Sequence, residues 1–457
     1  MTKPLTDLKT TPLSRRLTLA KTSLAIGTTW AKTGVTGLFL SKEERAAKKH
    51  TMLQEQADYL ASELGKLKGS VVKVGQMLAL YGEHMLPAEV VSALHTLDAQ
   101  TAPLAWHIIY DTIKAELGES IHDFDIERTP IGTASLAQVH KAVHKFTGKT
   151  VVLKVQYPNI ATAIDSDLSI FKQLLKVTNA VPQTRALDAW FDEVRKLLHR
   201  EVDYRMEAAT TKRFASYLGG DTRYIVPTIY DNYSTSRLIC MSFEDGIALS
   251  DEHLSTLPQT RKNHLGELAI DIVLREIFEW GEMQTDPNFG NYLVRLAKDD
   301  GDNQDSGHDQ LVLLDFGAIK QFDNKLLTIA KNLLIAGHHQ DRPMMIAAMT
   351  GYDFFDKLNG KPQDDVASVL LLACEPFATP KALAASPMLD EQGRYIWANS
   401  DLYSRVMTTA KNGMQSLEFT LPPKEMMFIS RKFIGAYALL SALDARTNAD
   451  ELLAKWV

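Results

Sequence analysis

The sequence predicts an α+β protein of two lobes, a small β-rich lobe and then a larger helical one, with an added helical element ahead of both. Three observations predict it. Between residues 119 and 246, the runs Gln138–Ala142, Val151–Val155, Tyr224–Pro227 and Arg237–Phe243 alternate or are rich in β-branched residues, as strands are. Ahead of them, Leu60, Leu64, Leu67, Val71, Val74 and Leu78 recur at helical spacing and make one apolar stripe. Behind them, from Asp323 to Val457, the pattern is helical, broken by Pro362, Pro376, Pro380, Pro387 and Pro422-Pro423. The expected division is an N-terminal segment 1–41, a helical extension 42–118, a β-rich lobe 119–246 and a helical lobe 247–457.

Composition narrows the function classes. A chain of 457 residues, 45% hydrophobic and 23% charged, has ample core for two or three domains. The formal net charge of -6 gives no electrostatic case for a nucleic-acid partner. The 2 cysteines, Cys240 and Cys374, are far apart and imply neither a disulfide framework nor a zinc site. No stretch reaches the ~18 uncharged apolar residues of a membrane-spanning helix. Leu17–Leu40 comes nearest, and Lys21, Lys32 and several threonines interrupt it. Segment 1–41 therefore reads as a mobile basic terminus able to touch a membrane surface.

The elements follow in order. Lys42–Leu97 reads as helix, with Lys73 and Gln76 three apart on one face, off the apolar stripe and beside Gly75. A glycine there costs about 1 kcal/mol against Ala and suggests close approach of another segment. Pro103–Leu117 is a helix closed by Gly118. Gly132-Thr133-Ala134-Ser135 is a small-residue tip, followed by an alternating strand, a turn at Gly148 and the strand around Lys154. Asp165–Val177 and Asp188–Phe214 read as helices, the second carrying Glu201, Asp203 and Glu207. Glu244-Asp245-Gly246 ends the last strand of the small lobe as a hinge would. Leu265–Trp280 is amphipathic and delivers the chain to Asp286. Asp299–Asp309 has no periodicity and reads as a mobile hairpin tip.

The chemistry lies in residues that recur in a fixed order. Asp286 is followed five positions later by Asn291, and the apolar run Leu311–Leu314 ends in Asp315-Phe316-Gly317. Upstream, Lys154 sits alone inside Val151–Val155. Kinase-like phosphotransferases use this set: a strand lysine on the α/β-phosphates, a helix glutamate that orients it, an Asp acting on the attacking group, and an Asn and an Asp on magnesium. Mg²⁺ takes hard oxygen ligands from a few carboxylates and carbonyls, with phosphate and water completing the shell. The fold expected is accordingly two-lobed and protein-kinase-like. ATP and Mg²⁺ are the expected cofactors. Lys154 and Asp286 are expected to be catalytic, with Glu201 or Glu207 beside Lys154, and Asn291 and Asp315 as metal ligands. Spacing does not choose between the two glutamates. Gly132, Thr133, Ala134 and Ser135 would approach the phosphates, and Met241 and Phe243 would lead into the hinge that reads the adenine. After Phe316 the chain shows no activation segment and no Ala-Pro-Glu, so a platform for peptide substrates is not expected.

With these residues the sequence resembles the UbiB/AarF family of atypical kinase-like proteins, which support ubiquinone biosynthesis. The resemblance covers roughly Lys66–Phe354. Its most specific mark is Lys73-x-Gly75-Gln76 followed by Leu86-Pro87. Pro130–His140, Val151–Pro158, Asp203-Tyr204 with Glu207-Ala208, and Asp286-Pro287 with Gly290-Asn291 support it. It implies that the Lys73/Gln76 helix lies over the nucleotide site and blocks peptides. It also implies Mg-dependent ATP hydrolysis, or phosphorylation of a small or lipid-like molecule, stimulated at membranes. A lipid or quinone precursor, a membrane surface and a biosynthetic complex are the implied partners. The chain departs from the family at Gly132-Thr133, where alanines are usual, at Gln284 in place of His, and at Asn288-Phe289 in place of His-Pro. Many members carry C-terminal membrane spans, and this sequence shows none. The expected location is cytoplasmic or peripheral to a membrane, mitochondrial if the source is eukaryotic. A nucleotide-binding pseudokinase acting as a lipid or quinone-precursor module is the alternative. A choline- or aminoglycoside-type phosphotransferase ranks last, since it does not explain Lys73-x-Gly75-Gln76.

Overall fold

The computed structural model describes residues 73–75, 77, 91–92, 94, 103–177, 185–249, 251–286, 288–297, 308–351, 353–383, 386–414 and 424–457. The expectations placed on residues 1–41, on Gln76, on the stripe at Leu60, Leu64, Leu67, Val71 and Leu78 and on Leu86-Pro87 lie outside the described residues. The chain divides into two compact units, Met1–Ala209 with Thr228–Phe243, and Thr210–Pro227 with Glu244–Val457.

The first unit is built on one antiparallel sheet. Helix α1 (Trp106–Leu117) ends at Gly118, whose φ of 55° is open to glycine at no steric cost. Strands β1 (Phe124–Ile126), β2 (Gly132–Thr133), β3 (Ala137–His144) and β4 (Thr150–Gln156) follow. The sheet order is β1-β3-β4-β6, with β2 paired to β3 and β6 spanning Leu238–Ser242. Gly148, at φ 66°, makes the turn between β3 and β4. Alternation along β4 sorts its side chains between two faces. Val151, Leu153 and Val155 enter a core with Ile109 and Ile113 of α1, Ile164 and Leu168 of α2 (Ile160–Val177) and Leu198 of α3 (Arg185–Glu201). Val152 packs instead with Tyr204 and Ala208 of α4 (Tyr204–Tyr217), and Lys154 lies on the same face as Val152 by period two.

The single helix expected over Asp188–Phe214 is two. Helix α3 stops at Glu201 and α4 starts at Tyr204. Asp203 caps the second, its Oδ1 accepting from the Met206 N–H at 3.0 Å. Gln156, buried at the end of β4, donates from Nε2 to the Val202 carbonyl at 2.6 Å and satisfies a group left over by the break.

The second unit takes up β5 (Tyr224–Ile225), which was expected in the β-rich lobe. It pairs in parallel with a later strand, and the Tyr224 hydroxyl is hydrogen-bonded to Asp271 at 2.8 Å. Strand β7 (Ile247–Ala248), the short α5 (Glu252–Ser255) and α6 (Gln259–Arg275) come next. A π-helical turn, Glu276–Trp280, and Gly281 in the left-handed region lead into β8 (Glu282–Gln284). The helix expected at Leu265–Trp280 thus begins earlier, and its last turn is π. Strands β9 (Tyr292–Arg295) and β10 (Gln310–Leu313) complete a sheet ordered β5-β10-β9-β7, while β11 (Ile319–Gln321) pairs with β8 separately. Helices α7 (Asn324–His339), α8 (Arg342–Met349), α9 (Asp353–Asp356), α10 (Lys361–Ala373), α11 (Leu402–Met414), α12 (Lys424–Ala442) and α13 (Ala449–Ala454) fill the rest, with the two-stranded pair β12 (Tyr395–Ile396) and β13 (Arg446–Thr447). Asp309, expected in a mobile tip, is buried and ion-paired to Arg261. Residues 298–307 of that stretch are outside the described ones.

Candidate functional site

The residues singled out for phosphate chemistry fall into two groups, one in each unit. In the first unit β4 lies between β3 and β6, with Lys154 opposite Val139 on one side and Ile239 on the other. Lys154 is therefore internal to the sheet. Its Nζ donates to Glu207 Oε1 at 2.6 Å and stands 5.4 Å from the centre of the Tyr204 ring. The side chains of Lys154 and Glu207 are 15% and 4% exposed, which makes this a buried ion pair. Burying two charges is costly unless they are paired and hydrogen-bonded, so the contact is specified and not incidental.

Glu201 has a different partner. It accepts the ion pair of Lys73 Nζ at 2.5 Å. The break at Val202-Asp203 explains the division: Glu201 ends α3, and Glu207 lies one turn inside α4, against the sheet. Of the two glutamates left open by the spacing, Glu207 is the one paired with Lys154, while Lys73 joins the same neighbourhood of the unit through Glu201. Gln156 sits two residues beyond Lys154 on the same face of β4 and ties the α3–α4 break to the sheet. Sequence reasoning missed it. The available signal was a glutamine at a buried position of an apolar strand.

The small-residue tip is a tight one. Gly132 pairs with Val139 and Thr133 with Gln138, and the Ala134 N–H donates to the Ala137 carbonyl at 2.9 Å. That N–H closes the turn itself. A Cβ on Gly132 would meet Val139 at 3.7 Å, an ordinary contact, so packing does not require glycine there. Ser135 is half-buried and Ala134 exposed. Of the residues expected to lead to the hinge, Met241 packs its side chain into the core with Val152, Ile239 and Ala208. Phe243 donates its N–H to the Thr150 carbonyl at 3.3 Å and has Lys141 Nζ 4.4 Å from its ring centre.

In the second unit the two acidic loops are tied together. Asn291 Nδ2 donates to Asp286 Oδ2 at 3.3 Å, which points its amide nitrogen at the carboxylate and leaves Oδ1 as its acceptor atom. Gln284 bridges two backbones: its Oε1 accepts from the Asp286 N–H at 3.1 Å, and its Nε2 donates to the Asp315 carbonyl at 2.8 Å. The Leu314 N–H donates to the Asn291 carbonyl at 2.9 Å, and Asp315 Oδ1 accepts from the Gly317 N–H at 2.8 Å. Phe316 anchors this turn in the core, its ring 5.0 Å from that of Phe214. Gln284 was noted in the sequence only as a departure from His. In the structure its two-ended amide joins the Asp286 loop to Asp315.

The donor set suits magnesium by its chemistry. The Asp315 carboxylate and the Asn291 amide oxygen expected to hold it are hard oxygen donors, and Mg²⁺ is typically held by one or two carboxylates with phosphate and water. Among the described residues no group of three or more His, Cys, Asp or Glu is arranged to hold a metal, so a site made by protein carboxylates alone is not found there.

Comparison with known proteins decides the family. Residues 96–349, more than half of the chain, match the ABC1 atypical kinase-like domain. The chain belongs to this family. It is 28% identical over 417 residues to the atypical kinase coq-8, mitochondrial, of Caenorhabditis elegans, covering 90% of this chain and 52% of that protein. It is 29% identical over 403 residues to the atypical kinase COQ8, mitochondrial, of Schizosaccharomyces pombe, covering 87% and 62%. It is 33% identical over 258 residues to the mouse AarF domain-containing protein kinase 1, covering 55% and 46%. The chain therefore spans about half to three-fifths of the length of these relatives. The complex of Rv3197 with erythromycin from Mycobacterium tuberculosis shares the fold, with a TM-score of 0.57 and 21% identity over 91% of this chain and 98% of that one. The expected kinase-like α+β fold is the one found. Among the described residues no helix is long and apolar enough to cross a membrane.

Proposed function

We propose that this chain is an Mg-dependent, ATP-using kinase-like enzyme, an ATPase or a kinase of a small or lipid-like molecule, that supports ubiquinone biosynthesis at a membrane surface. The observation that carries the reading is the buried Lys154–Glu207 pair at 2.6 Å, the arrangement that fixes a strand lysine for the α/β-phosphates. Asp286 acts as the base or positions a water, with Asn291 holding its carboxylate through Nδ2. Asn291 and Asp315 hold the metal, which when bound neutralises phosphate charge. Lys73, paired with Glu201, restricts access to small acceptors. Support for the ubiquinone connection is the resemblance of the motifs, together with relatives named as mitochondrial atypical kinases.

The test is ADP release from MgATP by the purified protein, with and without anionic liposomes, beside Asp315→Asn. Turnover that rises with lipid and vanishes in the variant is expected. Unchanged turnover in Asp315→Asn would remove the metal assignment. No turnover in any condition, with MgATP still raising the melting temperature, would make the chain a nucleotide-switched binding module.

A further inference from the structure

Lys432 lies on α12, far along the chain from every motif above, and its side chain is 6% exposed. It contacts Glu276, 2% exposed, with Nζ 2.9 Å from Oε1 and 2.8 Å from Oε2. Glu276 opens the π-helical turn, and its Oε1 also accepts from the Gln284 N–H at 3.1 Å. Lys432 and Tyr292 also line one small cavity together. Burial works to lower the Lys432 ammonium, and the neighbouring Glu276 and Tyr292 together shift it upward. Lys432 and Tyr292 are the polar members of a small cavity otherwise lined by apolar side chains such as Ala269, Ile272 and Ala436, so the cation has no cheaper position to move to.

Gln284 and Tyr292 bracket the segment that carries Asp286 and Asn291. They belong to different sheets, since β8 pairs only with β11 and β9 lies between β10 and β7. No ladder therefore sets one end of the segment against the other. The Leu314-Asp315 backbone touches both ends, while Lys432, from outside the motifs, reaches the Gln284 end through Glu276 and lies in the cavity that Tyr292 lines at the other. A buried ion pair is a poor stability device, because well-packed apolar replacements are often as stable. A fixed three-way geometry is what it supplies.

We infer that Lys432 is a positioning residue for the Asp286–Asn291 loop, holding its start through Glu276 and Gln284 and its end through Tyr292. The inference rests on the proposed enzymatic reading for its kinetic consequence and on the fold alone for its structural one. Lys432→Met leaves the Glu276 carboxylate buried without its cation and is expected to unfold easily, so the deciding variant is Glu276→Gln/Lys432→Met, which removes both charges. Amide hydrogen exchange across residues 285–291 is measured in the full chain, with steady-state MgATP kinetics beside it. The double variant is expected to melt within a few degrees of the parent, to lose roughly tenfold of the loop's exchange protection, and to lose roughly tenfold in kcat with KM for ATP unchanged. Tyr292→Phe is expected to lose protection at the Asn291 end alone. Parental protection across the loop in the double variant overturns the inference, and so does parental kcat beside an active parent. If the parent itself shows no turnover, the enzymatic reading fails, and the exchange result alone decides the role of Lys432.

Discussion

Replacing Lys154 by methionine leaves the carboxylate of Glu207, 4% exposed, without the ammonium 2.6 Å away. Removing one partner of a buried pair typically costs roughly 3–5 kcal/mol, because the remaining charge stays desolvated. Both side chains are well under a third exposed, so solvent screening does not reduce this much. For a unit of 150–250 residues each kcal/mol moves the melting temperature by roughly 2–4 °C, so a drop of at least about 6 °C is expected. Differential scanning calorimetry measures it, with Lys149→Met as the control, since Lys149 is exposed near the turn after β3. Lys154→Met/Glu207→Leu removes both charges and is expected to recover much of the loss. The reasoning is refuted if Lys154→Met melts with the control, or if the double variant is no more stable than Lys154→Met.

Two further outcomes follow from local chemistry. Asp203→Ala removes the cap of α4 and should cost about 1 kcal/mol, read as a fall of a few degrees in melting temperature that Asp203→Ser restores. Asp221 is held down to about 2 by its hydrogen bond to Arg223, with Arg275 adding to it. A depressed carboxyl contributes stability that is complete above about pH 4 and is lost as the pH falls through about 2, here about 2 kcal/mol. Urea unfolding at pH 5 and pH 2.5 should show a larger acid loss for the parent than for Asp221→Asn. Equal losses would show that this cluster does not drive acid sensitivity.

Much of the architecture was legible because it is written at short range. The strand of Lys154 is a β-branched run, Gly118 and Gly148 mark turns, and Asp286…Asn291 and Asp315-Phe316-Gly317 are local loops. These features depend on residues within a few positions of one another, and the period of two along β4 even assigns Lys154 to one face. What the sequence left open was pairing over distance. Glu201 and Glu207 are equivalent by type and neighbourhood. The choice between them depends on a helix break fixed by the Asp203 cap and by Gln156 from a strand. Tyr224–Ile225 reads as a strand of the first lobe, yet its partner is β10 in the second unit. Gln284 looked like a loss, and the structure shows both ends of its amide in use. Lys432 carries no motif at all. Its role exists only once α12 packs beside the π-helical turn and puts a buried cation next to Glu276 and Tyr292. Residue type and spacing determined which groups this chain offers for chemistry. Tertiary packing decided which groups meet, because a buried charge must find its partner wherever the fold brings one within reach.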